Sequence, residues 1–426
     1  MAYERKNLPE LLAPAGGMEQ LKAALRFGAD AVYGGMKQYG LRAFAGNFDP
    51  QGLKEAADYC HARGKKFYVT LNIYPFDEDM EGFKQAGQAA WEAGVDAAIV
   101  SDLGAVLLLR EQAPQLEIHI STQANTMNSL TARHWHALGA KRVVLSREMS
   151  LEQIARMRKA IPDDLELEAF CHGAACMAHS GRCLLSNILT GRGGNQGQCA
   201  QPCRWKYHVV EEKRPGEYLP VCEDEHGTYI FSAQDLNLMP LLPQLTEAGI
   251  ASLKIEGRMK TEYYVATVVN AYRRGLDALA AGTFEQELPG LMQELDKASH
   301  RPSNTGFALG APQPCGNADG FSQSMEYVGR VMAPAQAGEA ARLTLKNRFF
   351  TGDELELLTP QGPKTFTAPS FILEKTGEAV NTHGVAGDVV LISFPFEVGE
   401  GDLLRGPVRN HIKSESKKSS AKCGCP

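Results

Sequence analysis

Between Glu168 and Tyr207 the chain reads EAFCHGAACMAHSGRCLLSNILTGRGGNQGQCAQPCRWKY, and half of the protein's ten cysteines fall in that stretch. Thiols at such density form disulfides, hold a metal, or supply a nucleophile. The chain shows no cationic start leading into an apolar run, so a secretory signal is not expected and disulfides rank last. The cysteines are Cys171, Cys176, Cys183, Cys199 and Cys203. Zinc ribbons use paired Cys-x2–4-Cys knuckles. Cys199 and Cys203 are spaced for one knuckle, whereas Cys176 and Cys183 are too far apart for the other. Four thiolates at unequal intervals suit an iron–sulfur cluster better, because its iron corners are separate and each takes a ligand. The spacing is not that of a bacterial ferredoxin, so buried, unligated cysteines remain the alternative.

Other residues carry chemistry nearby. His172 and His179 flank Cys176, and histidine is the side chain whose proton is mobile near neutral pH. Arg42, Arg147, Arg182, Lys254 and Arg258 are cations at or near expected strand ends, and arginine offers the planar, paired donors that a dicarboxylate takes. Glu148, Glu256 and Asp224 can instead pair with them, so a salt-bridged face and an anion pocket are both open. The glycine-rich run Gly191–Gly197 lacks the lysine and hydroxyl residue of a P-loop, and tight turning beside the cysteines explains it. Neither G-x-S-x-G nor H-E-x-x-H occurs, so peptide hydrolysis is left only a Cys171–histidine pairing. Tyr33, Tyr39, Tyr74 and Trp205 are the aromatic candidates for stacking a nucleic-acid base.

These groups need elements to position them. The first half repeats one phrase: an amphipathic stretch, a glycine, then a short apolar run. Gly28, Gly64, Gly94, Gly139 and Gly249 precede Ala31–Tyr33, Phe67–Thr70, Ala97–Val100, Val143–Leu145 and Leu253–Ile255. Each glycine sits where a helix ends in a left-handed cap, and each run reads as a strand covered on both faces. Leu11–Ala13, Ile118–Ile120 and Leu165–Phe170 complete eight strands alternating with helices. The expected fold is α/β, a (β/α)8 TIM-like barrel with a long Cys-rich insertion after the seventh strand. A doubly wound open sheet is the runner-up, weakened by the lack of G-x-G-x-x-G after the first strand.

In such a barrel, function sits at the C-terminal ends of the strands. Those ends carry Asn72, Asp102, Ser121–Asn125, Arg147, Glu148, Cys171–Gly173 and Glu256–Arg258. The barrel is expected over 1–300, with its insertion at 171–249, far longer than the usual βα loop. A linker at 301–324, a small all-β barrel domain at 325–408 and a polar, flexible tail at 409–426 follow.

Composition sets limits. A content of 44% hydrophobic and 22% charged residues is ordinary for a globular protein, and no apolar run is long enough to cross a bilayer. A formal charge of −6 argues against a basic nucleic-acid binder, though a local basic face would suffice for RNA. Arg192, Arg204, Lys206, Lys346 and Arg348 are candidates for that face.

HGAACMAHSGRCLLS followed by NQGQCAQPCRW resembles the signature of the U32 peptidase family. ELLAPAG, GADAVYGG, KKFYVTLN, STQAN, VVLSRE, RPGEYLPVCEDEHGTYI and SLKIEGRMK resemble further blocks of it. The resemblance is strongest to the branch that hydroxylates the wobble uridine of tRNA in a prephenate-dependent way. It implies a [4Fe–4S] cluster on Cys176, Cys183, Cys199 and Cys203, with Cys222 or Cys171 as substitutes for Cys203. From their chemistry and their places at or near the expected strand ends, His172, Glu148 and Asn72 are the candidate catalytic residues, and Arg147, Lys254, Arg258 and Arg42 the candidate substrate-binding ones. The expected partners are tRNA, prephenate as the small dicarboxylate and an electron-donor protein, in the cytoplasm and without a membrane. The alternatives are a collagenase-like U32 hydrolase and a cluster-carrying subunit of an rRNA or ubiquinone hydroxylation system.

Overall fold

A computed structural model describes residues 3–42, 45–176, 178–205, 208–209, 219–220, 234–310 and 321–409. Cys222, Asp224, Lys206, Cys315, Cys423 and Cys425 lie outside the described residues. The chain divides into two compact units, Met1–Ser322 with Pro360–Gly362, and Gln323–Thr359 with the chain from Pro363 onward.

In the first unit eight parallel strands follow one another: β1 Glu10–Pro14, β2 Ala31–Gly35, β3 Lys66–Leu71, β4 Ala97–Val100, β5 Glu117–Ile120, β6 Ala140–Val144, β7 Glu166–Ala174 and β8 Ser252–Ile255. β8 pairs with both β7 and β1, which closes the sheet into the expected barrel. Helices α1 Met18–Arg26, α2 Pro50–His61, α3 Met80–Glu92, α4 Leu103–Gln112, α5 Ser129–Ala137 and α6 Leu151–Arg158 alternate with the strands. The five glycines of the repeated phrase take φ between +65° and +109°, the left-handed region in which glycine ends a helix without strain. Local capping starts the helices. The Asp49 and Asp102 carboxylates accept from Gly52 and Ala105 N–H, and Ser150 with Gln153 forms a reciprocal box. Asp102 at its strand end is therefore a helix cap.

Residues two apart on a strand share a face, and the barrel interior follows that period. Leu12, Ala31, Tyr33, Tyr68, Ala97 and Ile99 form its apolar half. Charge fills the other half. Arg142 on β6 donates through Nη1 to Glu10 at 2.7 Å and Glu168 at 3.1 Å, and through Nε to Glu166 at 2.8 Å. Lys254 Nζ donates to the second Glu168 oxygen at 2.9 Å.

Register slips between β7 and β8, where Lys254 pairs with Phe170 but Ile255 pairs with His172. The slip re-aims the end of β7. Past it, Asp235–Asn237 returns antiparallel onto Ala174, Gly173 and His172, and Ser303–Asn304 pairs with Asp235–Leu236. Arg301 clamps Asp235 through Nη2 at 2.7 Å and Nε at 3.2 Å. Residues 301–304, read as the start of a linker, thus belong to the barrel unit, with Ser303–Asn304 in its sheet, and α7 Glu262–Ala281 packs against β1 and α1.

The second unit is all β, as expected. An eight-stranded antiparallel sheet encloses Val331, Leu343, Leu345, Leu357, Val390 and Leu404. Arg405 is fully buried, and its cost is offset by Glu356, which accepts from Nη2 at 2.6 Å and Nε at 2.9 Å.

Candidate active site at the barrel mouth

The inward residues at the strands' C-terminal ends, Tyr33, Thr70, Ile99, Val144, Phe170 and Lys254, form the floor of a cavity of about 420 Å³. Its volume is that of a small-molecule site. Arg42, Arg147, Glu148, Glu256 and Arg258 stand on the wall, and Cys176, Cys183, Cys199 and Cys203 line the same space.

The wall carries unpaired cations. Of the lining cations, Arg42 is paired with Glu256 and Lys254 with Glu168, while Arg147 and Arg258 form no ion pair among the described residues. Arg42 Nη2 pairs with Glu256 at 3.3 Å. Arg258 is buried, donates to Thr70 Oγ1 at 2.9 Å and to Asn47 Oδ1, and its Nε finds no partner among the described residues. Burial lowers its pKa to about 10, so it stays charged at neutral pH. Gly35 makes room for it, since a Cβ there would lie 1.8 Å from Nη2. Arg147 lies over the Phe170 ring at 3.9 Å and donates to the Ala174 carbonyl at 3.2 Å; its Nε is also unpartnered. Burial pulls Lys254 below its ordinary pKa and Glu168 pulls it back, with the ammonium 4.4 Å above the Tyr33 ring.

The cysteine segment is tied to the mouth residue by residue. Ser180, at φ +52°, donates to Asn125 Oδ1 at 2.8 Å, shares a 2.9 Å hydrogen bond with Ser146, and gives its N–H to Glu148 Oε1 at 2.7 Å. Ser186 donates to the Arg192 carbonyl and accepts from Ala200 N–H, folding the glycine-rich turn back on the short helix Leu185–Thr190. Gly197, at φ +87°, abuts the β2 loop so closely that a Cβ would lie 2.5 Å from the Gly40 carbonyl. Gly194 has the Cys183 carbonyl on one side and the Cys199 Cβ on the other, at 3.5 and 3.7 Å from its own Cβ position. The sulfurs of Cys183 and Cys199 accept N–H bonds from Leu185 and Gln201, each at 3.3 Å. Among the described residues, no three or more His, Cys, Asp or Glu are gathered closely enough for one metal ion.

Residues 16–317 match peptidase family U32 and residues 323–405 match the family's C-terminal domain. The chain belongs to peptidase family U32. It is 39% identical to "tRNA hydroxylation protein P" of Escherichia coli K12, over 91% of this chain and 94% of that one. It is 35% identical to a "Collagenase" of Porphyromonas gingivalis, over 71% and 73%. It is 32% identical to the Escherichia coli K12 "23S rRNA 5-hydroxycytidine C2501 synthase", over 87% of this chain and 55% of that one.

Of the stretches through which the chain resembles U32 proteins, GADAVYGG, KKFYVTLN, STQAN, VVLSRE and SLKIEGRMK each contribute residues to this mouth, and RPGEYLPVCEDEHGTYI lies almost wholly outside the described residues. Of the residues singled out from sequence, Asn72, Glu148, Arg147, Lys254, Arg258, Arg42 and the four cysteines all line the cavity. His172 does not. Beyond the register slip it faces Tyr264 and Tyr272, with ring centroids at 6.3 and 5.5 Å, and Tyr272 OH lies 3.5 Å from Nδ1. Burial lowers its pKa to about 4, so it is neutral at neutral pH and out of reach of a cavity occupant. Cys171 likewise lies in the barrel wall, fully buried, its thiol 3.5 Å from the Lys254 carbonyl and its pKa pushed up by burial. It does not fit as a substitute ligand. Tyr39 packs on Phe83, Tyr74 on Arg182, and Trp205 is exposed, so of the stacking candidates Tyr33 alone reaches the cavity. Arg182 braces Tyr74 OH and the Gln123 carbonyl at 2.8 and 2.9 Å. Gln123, named only as part of the Ser121–Asn125 strand end and given no role of its own, lines the cavity, as does Glu256, the partner of Arg42.

Proposed function

We propose that the barrel mouth is the active site of an RNA-modifying hydroxylase, one that places a hydroxyl on C5 of the wobble uridine of tRNA and depends on the dicarboxylate prephenate. One observation carries the reading: a single cavity is lined both by four cysteines and by Arg147 and Arg258, which form no ion pair among the described residues. A site built for peptide hydrolysis needs an activated nucleophile, whereas among the described residues no histidine lines this cavity and the Cys171 thiol is sealed in the barrel wall. Relatives named for hydroxylation of tRNA and rRNA support the same reading.

Cys176, Cys183, Cys199 and Cys203 would hold a [4Fe–4S] cluster. The fit rests on donor chemistry: two of the sulfurs already accept backbone N–H bonds, and four thiolates spread around one cavity suit separate iron corners better than one ion. Such a cluster supplies one-electron chemistry at the cavity edge, fed by an electron-donor protein. The chain's own residues do the rest. Arg147 and Arg258 present fixed guanidinium groups to a dianion, Lys254 adds charge from the floor, and Glu256 holds Arg42 in place. The base leaves its stack to enter the mouth. Exposed Lys346 and Arg348 in the second unit offer phosphate contacts. Such a protein works in the cytoplasm, where tRNA is.

Digestion and mass spectrometry of tRNA from cells lacking the gene tests the proposal. Wobble 5-hydroxyuridine and its derivatives should fall away, and return with the intact gene but not with Arg258→Gln. Unchanged nucleosides, or cleavage of peptides by the iron-free protein, would overturn it.

A further inference from the structure

Gln123, at the mouth end of β5, is held by a relay whose polarity is set by the backbone. Leu41 N–H donates to Asn72 Oδ1 at 3.2 Å. A backbone N–H can only donate, so the Asn72 oxygen faces Leu41 and its NH2 faces Gln123. Asn72 Nδ2 then donates to Gln123 Oε1 at 2.9 Å, and the Ser121 hydroxyl donates to the same oxygen at 3.3 Å, while the Ser101 hydroxyl lies closer to the Asn72 backbone carbonyl, at 3.0 Å. Turning the Gln123 amide round would set its NH2 against the Asn72 NH2, so its orientation is fixed. Its NH2 is left facing elsewhere, and this buried nitrogen has no partner among the described residues. Gln123 is 3% exposed and lines the cavity.

A second oriented group stands at the end of the adjacent strand β6. Glu148 gives Oε1 to Ser180 N–H, again a donor that cannot reverse, and its buried Oε2 is unpartnered among the described residues. Two residues from neighbouring strand ends that line the same cavity thus each keep one buried polar atom, a donor on Gln123 and an acceptor on Glu148, that no described residue meets. An unmet buried polar atom costs free energy unless an occupant meets it. The occupant these two fit presents a carbonyl oxygen beside a ring N–H. Uracil has that edge in O4 and N3–H; cytosine has the reverse, an amine donor beside an unprotonated ring nitrogen.

We propose that Gln123 and Glu148 are the residues that read the base: Gln123 Nε2 donates to the uracil O4 and Glu148 Oε2 accepts from N3–H. The proposal rests on the reading of the substrate as a uridine in RNA, and it assigns the discrimination against cytidine to these two side chains. Asn72 is a positioning residue that fixes which end of the Gln123 amide meets the base.

The test measures binding of the full chain, purified without oxygen, to anticodon stem-loop RNAs that differ only in carrying uridine or cytidine at the wobble position. Wild type should prefer uridine by about 10- to 100-fold. Gln123→Leu should bind both RNAs alike, at the weaker affinity. The exchange variant Gln123→Glu with Glu148→Gln keeps an oxygen toward Asn72 and toward Ser180 but swaps the free donor and acceptor, and it should prefer cytidine. That reversal is a readout a merely structural role would not produce. If the exchange variant loses its thermal transition, Gln123→Leu carries the test, with a melting curve matching wild type as the control. A wild-type preference that survives in the variants would overturn the assignment while leaving the hydroxylase reading intact. No preference or no RNA binding by wild type would overturn both.

Discussion

Removing the charge of Glu168 should cost the barrel roughly 3–5 kcal/mol, the range for breaking a buried ion pair by deleting one partner. Glu168 is fully buried and serves two cations: Lys254 at 2.9 Å and Arg142 at 3.1 Å. In Glu168→Gln, Arg142 keeps Glu10 and Glu166, so the loss falls on Lys254, which keeps the weaker attraction of Glu256 and the faces of Tyr33 and Phe170 at 4.4 and 5.6 Å. The first unit spans Met1–Ser322. At roughly 2 cal/mol/K per residue its unfolding entropy is about 0.7 kcal/mol/K, so the melting temperature should drop by ~4–7 °C. Glu168→Gln with Lys254→Met removes the stranded charge and should recover more than half of that drop. The pH dependence follows the same pair. Burial pushes the Glu168 carboxyl up, and Lys254 with Arg142 more than reverse this, holding it at about 2. Because the folded value lies below the unfolded one of about 4.3, the stabilisation is complete above the latter. It is lost as the pH falls through the former, and the variant should lack that acid limb. Calorimetry from neutral to acid pH measures all three. A single variant melting within ~1 °C of wild type, or a double variant as low as the sum of its parts, would refute the reasoning.

His172, lowered to about 4 by burial, should give a second acid limb. Its contribution is present above the unfolded value of about 6.5 and is lost as the pH falls toward 4; His172→Gln should flatten the melting profile in that window and leave iron content unchanged. Gly35→Ala should drive Arg258 off Thr70, costing ~1–3 kcal/mol by overpacking and weakening dicarboxylate affinity in titration calorimetry. Gly197→Ala forces a side chain into a left-handed residue against the Gly40 carbonyl, so protein made anaerobically should carry less iron at nearly unchanged barrel content by circular dichroism.

The barrel was legible because its signals are local. A glycine that must end a helix, followed by four apolar residues, repeats often enough to count strands, and the alternation after Tyr327 marks the second unit as β. The charged half of the interior was not legible. Glu168 and Arg142 sit within runs of strand residues, and only the register of β6 against β7 shows that they face one another. Lys254 was read as a ligand-binding cation, and burial shows it also to be the partner of Glu168. His172 was misplaced because a one-residue slip between β7 and β8 turns the strand end away from the mouth, and nothing in CHG announces a bulge. Gln123 was given no role of its own for a different reason. Its orientation is set from Leu41, eighty-two positions earlier in sequence, through Asn72.

The cysteines that border the cavity are the point on which the account turns. Iron and acid-labile sulfide should therefore be measured on protein purified without oxygen, for wild type and for Cys176→Ser, Cys183→Ser, Cys199→Ser and Cys203→Ser, together with wobble hydroxyuridine in tRNA from the same cells. The account predicts about four irons and four sulfides per wild-type chain, as one [4Fe–4S] cluster requires, with cluster and hydroxyuridine falling together in all four variants. Zinc in place of iron, or hydroxyuridine that persists in variants lacking the cluster, would contradict it.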